Sequence, residues 1–211
     1  FIITGIIYLS YFGIETKRFN YLIEDKILQN NKKLKIELQD VKIILNLRDF
    51  SFNLKTLNTN LFFENKEVKI EEIKTNLSII SYFNDEFSIK DLLISTKANN
   101  IKDIISLIRS YKNSPELFIL NKITKSGNIV AKIKLNFDKN GRINNDYLIT
   151  GLIKETNFVF LNKDSINSIS LDFIIKKDEF ISKNIKFKFH QINFLSNMIE
   201  IKDKKKYFSI K

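Results

Sequence analysis

Residues 127–137, GNIVAKIKLNF, alternate between apolar and polar side chains, and this period constrains the fold more than any other feature. The apolar positions are Ile129, Ala131, Ile133, Leu135 and Phe137. In an extended chain, alternate side chains point to opposite faces, so the period predicts a β-strand with one apolar face and one wet face. At about 3.3 Å per residue, the apolar strip on this strand is about 26 Å long.

The same period recurs from residue 34 to the end of the chain. Two later runs are equally regular, namely Ile169, Leu171, Phe173 and Ile175, and then Ile185, Phe187 and Phe189. About ten successive strands, mostly joined by hairpins, predict a mainly β fold with one long, curved antiparallel sheet. The DKNG sequence at 138–141 predicts a hairpin turn, and Gly151 in the returning strand predicts a bulge or a close approach of the backbone.

Three segments have helical character. Residues 1–14 carry no charge, and we interpret them as a truncated transmembrane anchor because a 14-residue helix spans only about 21 Å of a hydrocarbon core about 30 Å thick. A buried core helix and the end of a signal peptide are the alternatives. Residues 15–30 predict a short amphipathic helix, and residues 99–111 predict a helix capped by Asn99 or Asn100 and ended by Asn113-Ser114-Pro115.

The predicted domains are therefore the anchor at 1–14 and one β domain at 15–211. Phe1 is not a start methionine and Lys211 lies in strand-like sequence, so we expect the chain to be the N-terminal part of a longer protein. Two helices cannot cover ten strands, and a large uncovered apolar face usually marks a binding surface. A sheet curled enough to bury its own apolar face, with no ligand, is the alternative.

Acyl chains of lipids fit a groove of this length and polarity. The inward side chains of the regular strands are the candidate lipid-binding residues, namely Ile129, Ile133, Leu135, Phe137, Leu171, Phe173, Ile175, Phe187 and Phe189. Polar head groups would stay at the wet rim.

Composition argues against catalysis and against recognition of nucleic acid. The net charge of +11 accompanies an excess of Lys, Ile, Asn and Phe that is typical of an AT-rich genome, and most lysines alternate with apolar residues instead of clustering. The absence of Cys excludes disulfides and thiolate metal sites. The single histidine, His190, and the acidic pairs Glu71-Glu72 and Asp85-Glu86 form no catalytic or metal-binding pattern, so we expect no enzyme, no cofactor and no metal.

Three stretches carry a resemblance to a known family: LKIELQDVKIIL, VKIEEIKTNLSIISYFNDEFSIKDLLIS and GNIVAKIKLNFDKNGRINNDYLITGLIKETNF. The pattern resembles the start of AsmA-like proteins, whose opening segment is similar to the chorein region of bridge-like lipid-transfer proteins. The repeated features are a glycine that opens a strand, an Asp-x-x-Gly turn and a second glycine in the return, here Gly127, residues 138–141 and Gly151. The resemblance implies a curved sheet that forms an apolar trough, a single-pass inner-membrane anchor and a periplasmic body in a Gram-negative bacterium.

These observations predict a non-enzymatic lipid-transfer protein that shields phospholipid acyl chains between the inner and outer membranes. Its expected partners are phospholipid, the inner membrane and envelope proteins. The alternative is a structural or assembly factor for the outer membrane, with a closed β core, no lipid cargo and sheet edges that bind partner protein. A basic nucleic-acid binder is the third hypothesis, and it predicts steeply salt-dependent binding.

Overall fold

A computed structural model describes the chain except for residues 1, 19, 22–23, 25–27, 29–32, 58, 64–65, 85, 87, 112–113, 161–163, 204–207 and 211. The fold is mainly β, with antiparallel strands and few helices. It divides into two compact units, of which the first comprises 1–96 and 133–147 and the second comprises 97–132 and 148–211. The sequence predicted a single β domain over 15–211 in place of these two units.

The first unit begins with helix α1 (Ile2–Tyr11) and contains a short helix α2 (Ile79–Phe83). Its strands are β1 (Ile14–Thr16), β2 (Leu34–Glu37), β3 (Val41–Asn46), β4 (Ser51–Leu57), β5 (Asn60–Phe63), β6 (Lys66–Ser78) and β7 (Ile89–Thr96). They are hydrogen-bonded in the order β1-β3-β4-β6-β7, while β5 lies between β2 and the start of β6. The buried apolar side chains of this unit are Ile36, Val41, Phe63, Val68 and Ile70.

The second unit contains helices α3 (Ile101–Tyr111) and α4 (Pro115–Ile123). Its strands are β8 (Asn99–Asn100), β9 (Thr124–Asn136), β10 (Leu148–Val159), β11 (Ser165–Lys176), β12 (Glu179–Phe189), β13 (Ile192–Asp203) and β14 (Phe208–Ile210). The order is β9-β10-β11-β12-β13-β14, with β8 beside β9, and the last four residues of β9 belong to the first unit. In neither unit does the order of strands return to its starting strand, so the sheet is open.

The hairpin predicted at 138–141 is present. The Gly141 N–H donates to the Asp138 carbonyl oxygen at 3.0 Å, and Oδ1 of Asp138 accepts from the N–H groups of Asn140 at 2.8 Å and Arg142 at 2.9 Å. Gly141 has a φ of 77°, in the left-handed region that glycine tolerates best. The carboxylate and the glycine together therefore fix the turn.

Helix α3 confirms the prediction for 99–111, since Oδ1 of Asn100 accepts from the Lys102 N–H at 2.9 Å as a cap. The end predicted for this helix at Asn113-Ser114-Pro115 is confirmed, since α3 ends at Tyr111, but the helix that follows was not predicted. Ser114 does not merely follow the end of α3 but caps α4, where its Oγ accepts from the Leu117 N–H at 3.3 Å and Pro115 occupies the first turn.

The N-terminal predictions have mixed outcomes. Residues 2–11 are helical, as expected for part of an anchor, but no described helix is both long enough and apolar enough to cross a bilayer. Half of the positions of the amphipathic helix predicted at 15–30 lie outside the described residues. Of the others, Asn20, Tyr21, Glu24 and Leu28 are helical, whereas Glu15 and Thr16 belong to strand β1.

Candidate functional site

One face of the sheet in the second unit is protected from solvent, and strand register defines its members. Ile149, Ile175, Phe180 and Ile201 lie opposite one another across four strands, as do Gly151, Phe173, Ser182 and Ile199. Further along the same strands, Phe158, Ile166, Phe189 and Ile192 form another such row, in which Ile192 on the outermost of the four strands is 60% exposed. We call the surface that carries these three rows the protected face of the second unit.

A line of bulges crosses this sheet and keeps its apolar side chains on the protected face. Glu155 in β10, Ser168 in β11 and Asn184 in β12 all have left-handed backbones, with φ of 51°, 55° and 53°. By its register with β11, the residues of β10 on this face are odd-numbered before Glu155 and even-numbered after it, and Thr156 is fully buried. Each bulge therefore shifts the alternation between the two faces by one residue, and the three bulges lie side by side on adjacent strands.

Six of the nine predicted lipid-binding residues belong to the second unit and lie on this apolar side of its strands. Five of them are half-buried, namely Ile129, Leu171, Ile175, Phe187 and Phe189. Phe173 alone is buried, with 5% of its surface exposed. Phe187 stacks on Phe194 of the next strand, with ring centroids 5.0 Å apart.

The other three predicted residues, Ile133, Leu135 and Phe137, belong to the first unit and are also half-buried. The Phe137 N–H donates to the carbonyl oxygen of Lys90 at 3.0 Å, which ties this end of the strand to β7. Lys134, which alternates with these apolar residues, is exposed. The alternation read from the sequence therefore separates a half-buried apolar side from a wet side here too.

Comparison with protein-family models, with curated proteins and with solved structures finds no match. The resemblance to AsmA-like proteins consequently stays a prediction. The site has to be interpreted from its own geometry.

Charged side chains form compact networks in both units. In the first unit, the ammonium groups of Lys55 and Lys74 each lie 2.8 Å from a carboxylate oxygen of Glu72. Hydrogen bonds from Lys55 and Lys74 lower the pKa of Glu72. In the second unit, Lys202 bridges Glu179 at 3.1 Å and Glu200 at 2.9 Å.

Two hollows in the second unit were missed from the sequence. A polar hollow of about 570 Å³ lies at the line of bulges, lined by Ser126, Gly127, Asn128, Glu155, Asn157, Ser168, Ser170 and Lys186. An apolar cavity of about 710 Å³ lies beside α4 and the end of β10, lined by Phe118, Ile119, Lys122, Ile123, Lys125, Val159 and Phe160. The Ser114-Pro115-Glu116 sequence is a helix-start signal that could have revealed α4 and hence the second cavity.

The histidine and the acidic side chains are the candidates for a catalytic or metal site. His190 is exposed in the turn after β12, with Nε2 3.5 Å from Oδ1 of Asp164. Within the part of the chain that the structure describes, no group of three or more His, Asp or Glu side chains could hold a metal ion. The apolar face is accordingly the feature on which a function can be argued.

Proposed function

We propose that this chain is a non-enzymatic, membrane-anchored lipid-transfer protein. Its half-buried apolar residues would form a β-groove that shields phospholipid acyl chains between the inner and outer membranes. The observation that carries the proposal is the partial burial of the apolar face. Eight of the nine candidate residues are half-buried, whereas the interior of a packed sheet would bury them almost completely.

Partial burial has an energetic consequence. Apolar surface left in water costs about 25 cal/mol for each Å², so a row of half-covered Ile, Leu and Phe side chains gains stability from any apolar cover. An acyl chain supplies such cover without needing polar partners. Phospholipid fits because its head group can stay in water at the edge of the sheet while its tails contact the side chains.

Helix α1 supports the membrane part of the proposal. Ile3 and Tyr11 are 74% and 80% exposed, and Ile2, Ile7 and Phe12 also face solvent. Side chains of this kind insert favourably into hydrocarbon. The resemblance to AsmA-like proteins points the same way, since it implies an inner-membrane anchor and a periplasmic trough.

The test is the lipid content of protein purified in mild detergent, measured by mass spectrometry. We expect co-purified phospholipid, and we expect Ile133→Asp in the first unit and Ile175→Asp in the second to reduce it at least about fivefold, because a carboxylate on an apolar face repels acyl chains. Phe173→Asp should have the same effect if the variant folds. Lys132→Asp and Lys134→Asp on the wet side of β9 are the matched controls.

Circular dichroism and the thermal midpoint establish that each variant is folded. Wild-type protein without phospholipid, or folded Ile133→Asp and Ile175→Asp variants with unchanged lipid content, would overturn the proposal.

The assembly-factor alternative has one observation in its favour. Phe173 is buried and its ring lies where a side chain at Gly151 would be, so this part of the face is covered by the protein itself. If the whole face were closed in this way, purified protein would carry no lipid, and Ile175→Asp would lower the thermal midpoint without any lipid to lose.

A further inference from the structure

The cavity beside α4 is large enough for part of a lipid. Its volume of about 710 Å³ lies within the range of roughly 300–1,000 Å³ that is typical of small-molecule sites. Its wall includes Ile123, Val159 and Phe160. Phe118 and Ile119, also in the wall, are 52% and 57% exposed. The cavity therefore offers an apolar wall that the described residues leave partly open.

Cations surround this apolar wall. Lys122 and Lys125 line the cavity, and neither has a carboxylate partner among the described residues. The guanidinium of Arg109 lies 5.1 Å from the centroid of the Phe118 ring, and its buried Nε has no hydrogen-bond partner within the described chain. Glu116 lies in the first turn of α4, and Oδ1 of Asp164 lies 3.5 Å from Nε2 of His190. The rim is thus positively charged.

We propose that this cavity binds an anionic phospholipid, with an acyl chain against Phe118, Ile123 and Phe160 and the phosphate between Lys122 and Lys125. Ammonium groups form strong hydrogen bonds to phosphate oxygens, and an apolar wall beside them selects an amphiphile over inorganic phosphate. Two unpaired lysines favour a head group with a net negative charge over a zwitterionic one, by about tenfold or more in affinity. The inference deepens the proposed function by assigning a head-group class, but the observations that carry it lie outside the sheet face.

A reporter at the cavity can test this directly. The chain contains no tryptophan, so Phe160→Trp places a single indole in the cavity wall. Its fluorescence is measured with vesicles whose phosphatidylglycerol or phosphatidylcholine carries brominated acyl chains, because bromine quenches indole on contact. We expect half-quenching at about tenfold less phosphatidylglycerol than phosphatidylcholine.

Two charge-matched double variants distinguish binding at this cavity from general attraction of anionic vesicles to a basic protein. Lys122→Glu with Lys125→Glu should raise the phosphatidylglycerol concentration for half-quenching to that for phosphatidylcholine. Lys132→Glu with Lys134→Glu makes the same change of net charge on β9 and should leave the preference within about twofold. Equal quenching by both lipids, no quenching, or equal effects of the two double variants would overturn the inference.

The same reporter distinguishes this inference from the proposed function. Adding Ile175→Asp should reduce lipid co-purification at least about fivefold and leave quenching by phosphatidylglycerol vesicles intact. If purified wild-type protein carries no lipid but the reporter still prefers phosphatidylglycerol, the proposed function fails and the cavity assignment stands.

Discussion

Gly151 in β10 has no room for a side chain. A Cβ atom there would overlap the carbonyl oxygen of Val130 and the ring of Phe173. The sequence predicted a bulge or a close approach at this glycine, and the close approach is confirmed. The identity of its neighbours could not be predicted, because it depends on the register between β10 and β11.

Gly151→Ala should therefore lower the free energy of unfolding by about 1–3 kcal/mol, the usual cost of an added methyl group where the backbone cannot yield. Gly5→Ala in α1 is the matched control, since nothing lies within 4 Å of a Cβ at that position. Alanine also favours a helix over glycine, so the control should be neutral or slightly stabilising. Urea unfolding of both variants checks the prediction, and equal midpoints would contradict it.

Glu72 in the first unit has two cationic partners, Lys55 and Lys74, each at 2.8 Å. The apolar alternation of the sequence slips at Glu71 and Glu72, and the structure has a register shift between Ile70 and Glu72. The ion pairs with Lys55 and Lys74 could not be predicted, because they depend on which strand pairs with β6. The stabilisation that these ion pairs give the folded protein depends on pH.

The pKa of Glu72 is lower in the folded protein than in the unfolded chain. The ionised Glu72 carboxylate therefore stabilises the fold fully above its unfolded pKa of about 4.3, and this stabilisation is lost as the pH falls through the pKa of the folded state. Glu72→Gln should cost on the order of 1 kcal/mol at pH 7, and the difference from wild type should shrink below about pH 4. Chemical denaturation across this pH range measures it. Exposed Glu71→Gln should stay within about 0.5 kcal/mol of wild type throughout, and a constant difference for Glu72→Gln would refute the assignment.

At the scale of elements, the helices show what local sequence can and cannot specify. The stripe of isoleucines and the asparagine cap of α3 repeat at helical spacing, so this helix was predictable. Helix α4 was missed because its apolar residues, 117–120, form a continuous run with no helical period. Its start signal, Ser114-Pro115, is also typical of the end of a helix. The sequence alone therefore does not show that a second helix starts where the first has ended.

The buried side of α3 should matter far more than its exposed side. Ile105 is 4% exposed and Ile108 is 45% exposed, although both belong to the stripe of isoleucines at helical spacing. We expect Ile105→Ala to cost about 2–4 kcal/mol, because it removes packed methyl groups and leaves a cavity. Ile108→Ala should cost less than about 1 kcal/mol. Thermal or urea unfolding followed by circular dichroism makes the comparison, and equal costs would contradict the burial of α3.

At the scale of the whole molecule, period and composition were enough to predict a mainly β, antiparallel fold with few helices. The alternation of apolar and polar residues also predicted which side chains are shielded from solvent. Ile133 and Leu135 are half-buried, while Lys132 and Lys134 are exposed. The division into two compact units was not predictable, because it depends on long-range contacts and its boundary falls within the regular strand β9. The lipid cargo is a proposal from the partial burial of the apolar face.

The line of bulges at Glu155, Ser168 and Asn184 limits how this protein can change through evolution. Deletion of one such residue would reverse the faces of all side chains on one side of the bulge. The apolar side chains of that half-strand would then face water, while those of the neighbouring strands would not. The loss could be repaired only by matching deletions in adjacent strands, which rarely arise together. Changes in length should consequently accumulate in the hairpin turns, while the number of residues between each turn and its bulge stays fixed across descendants.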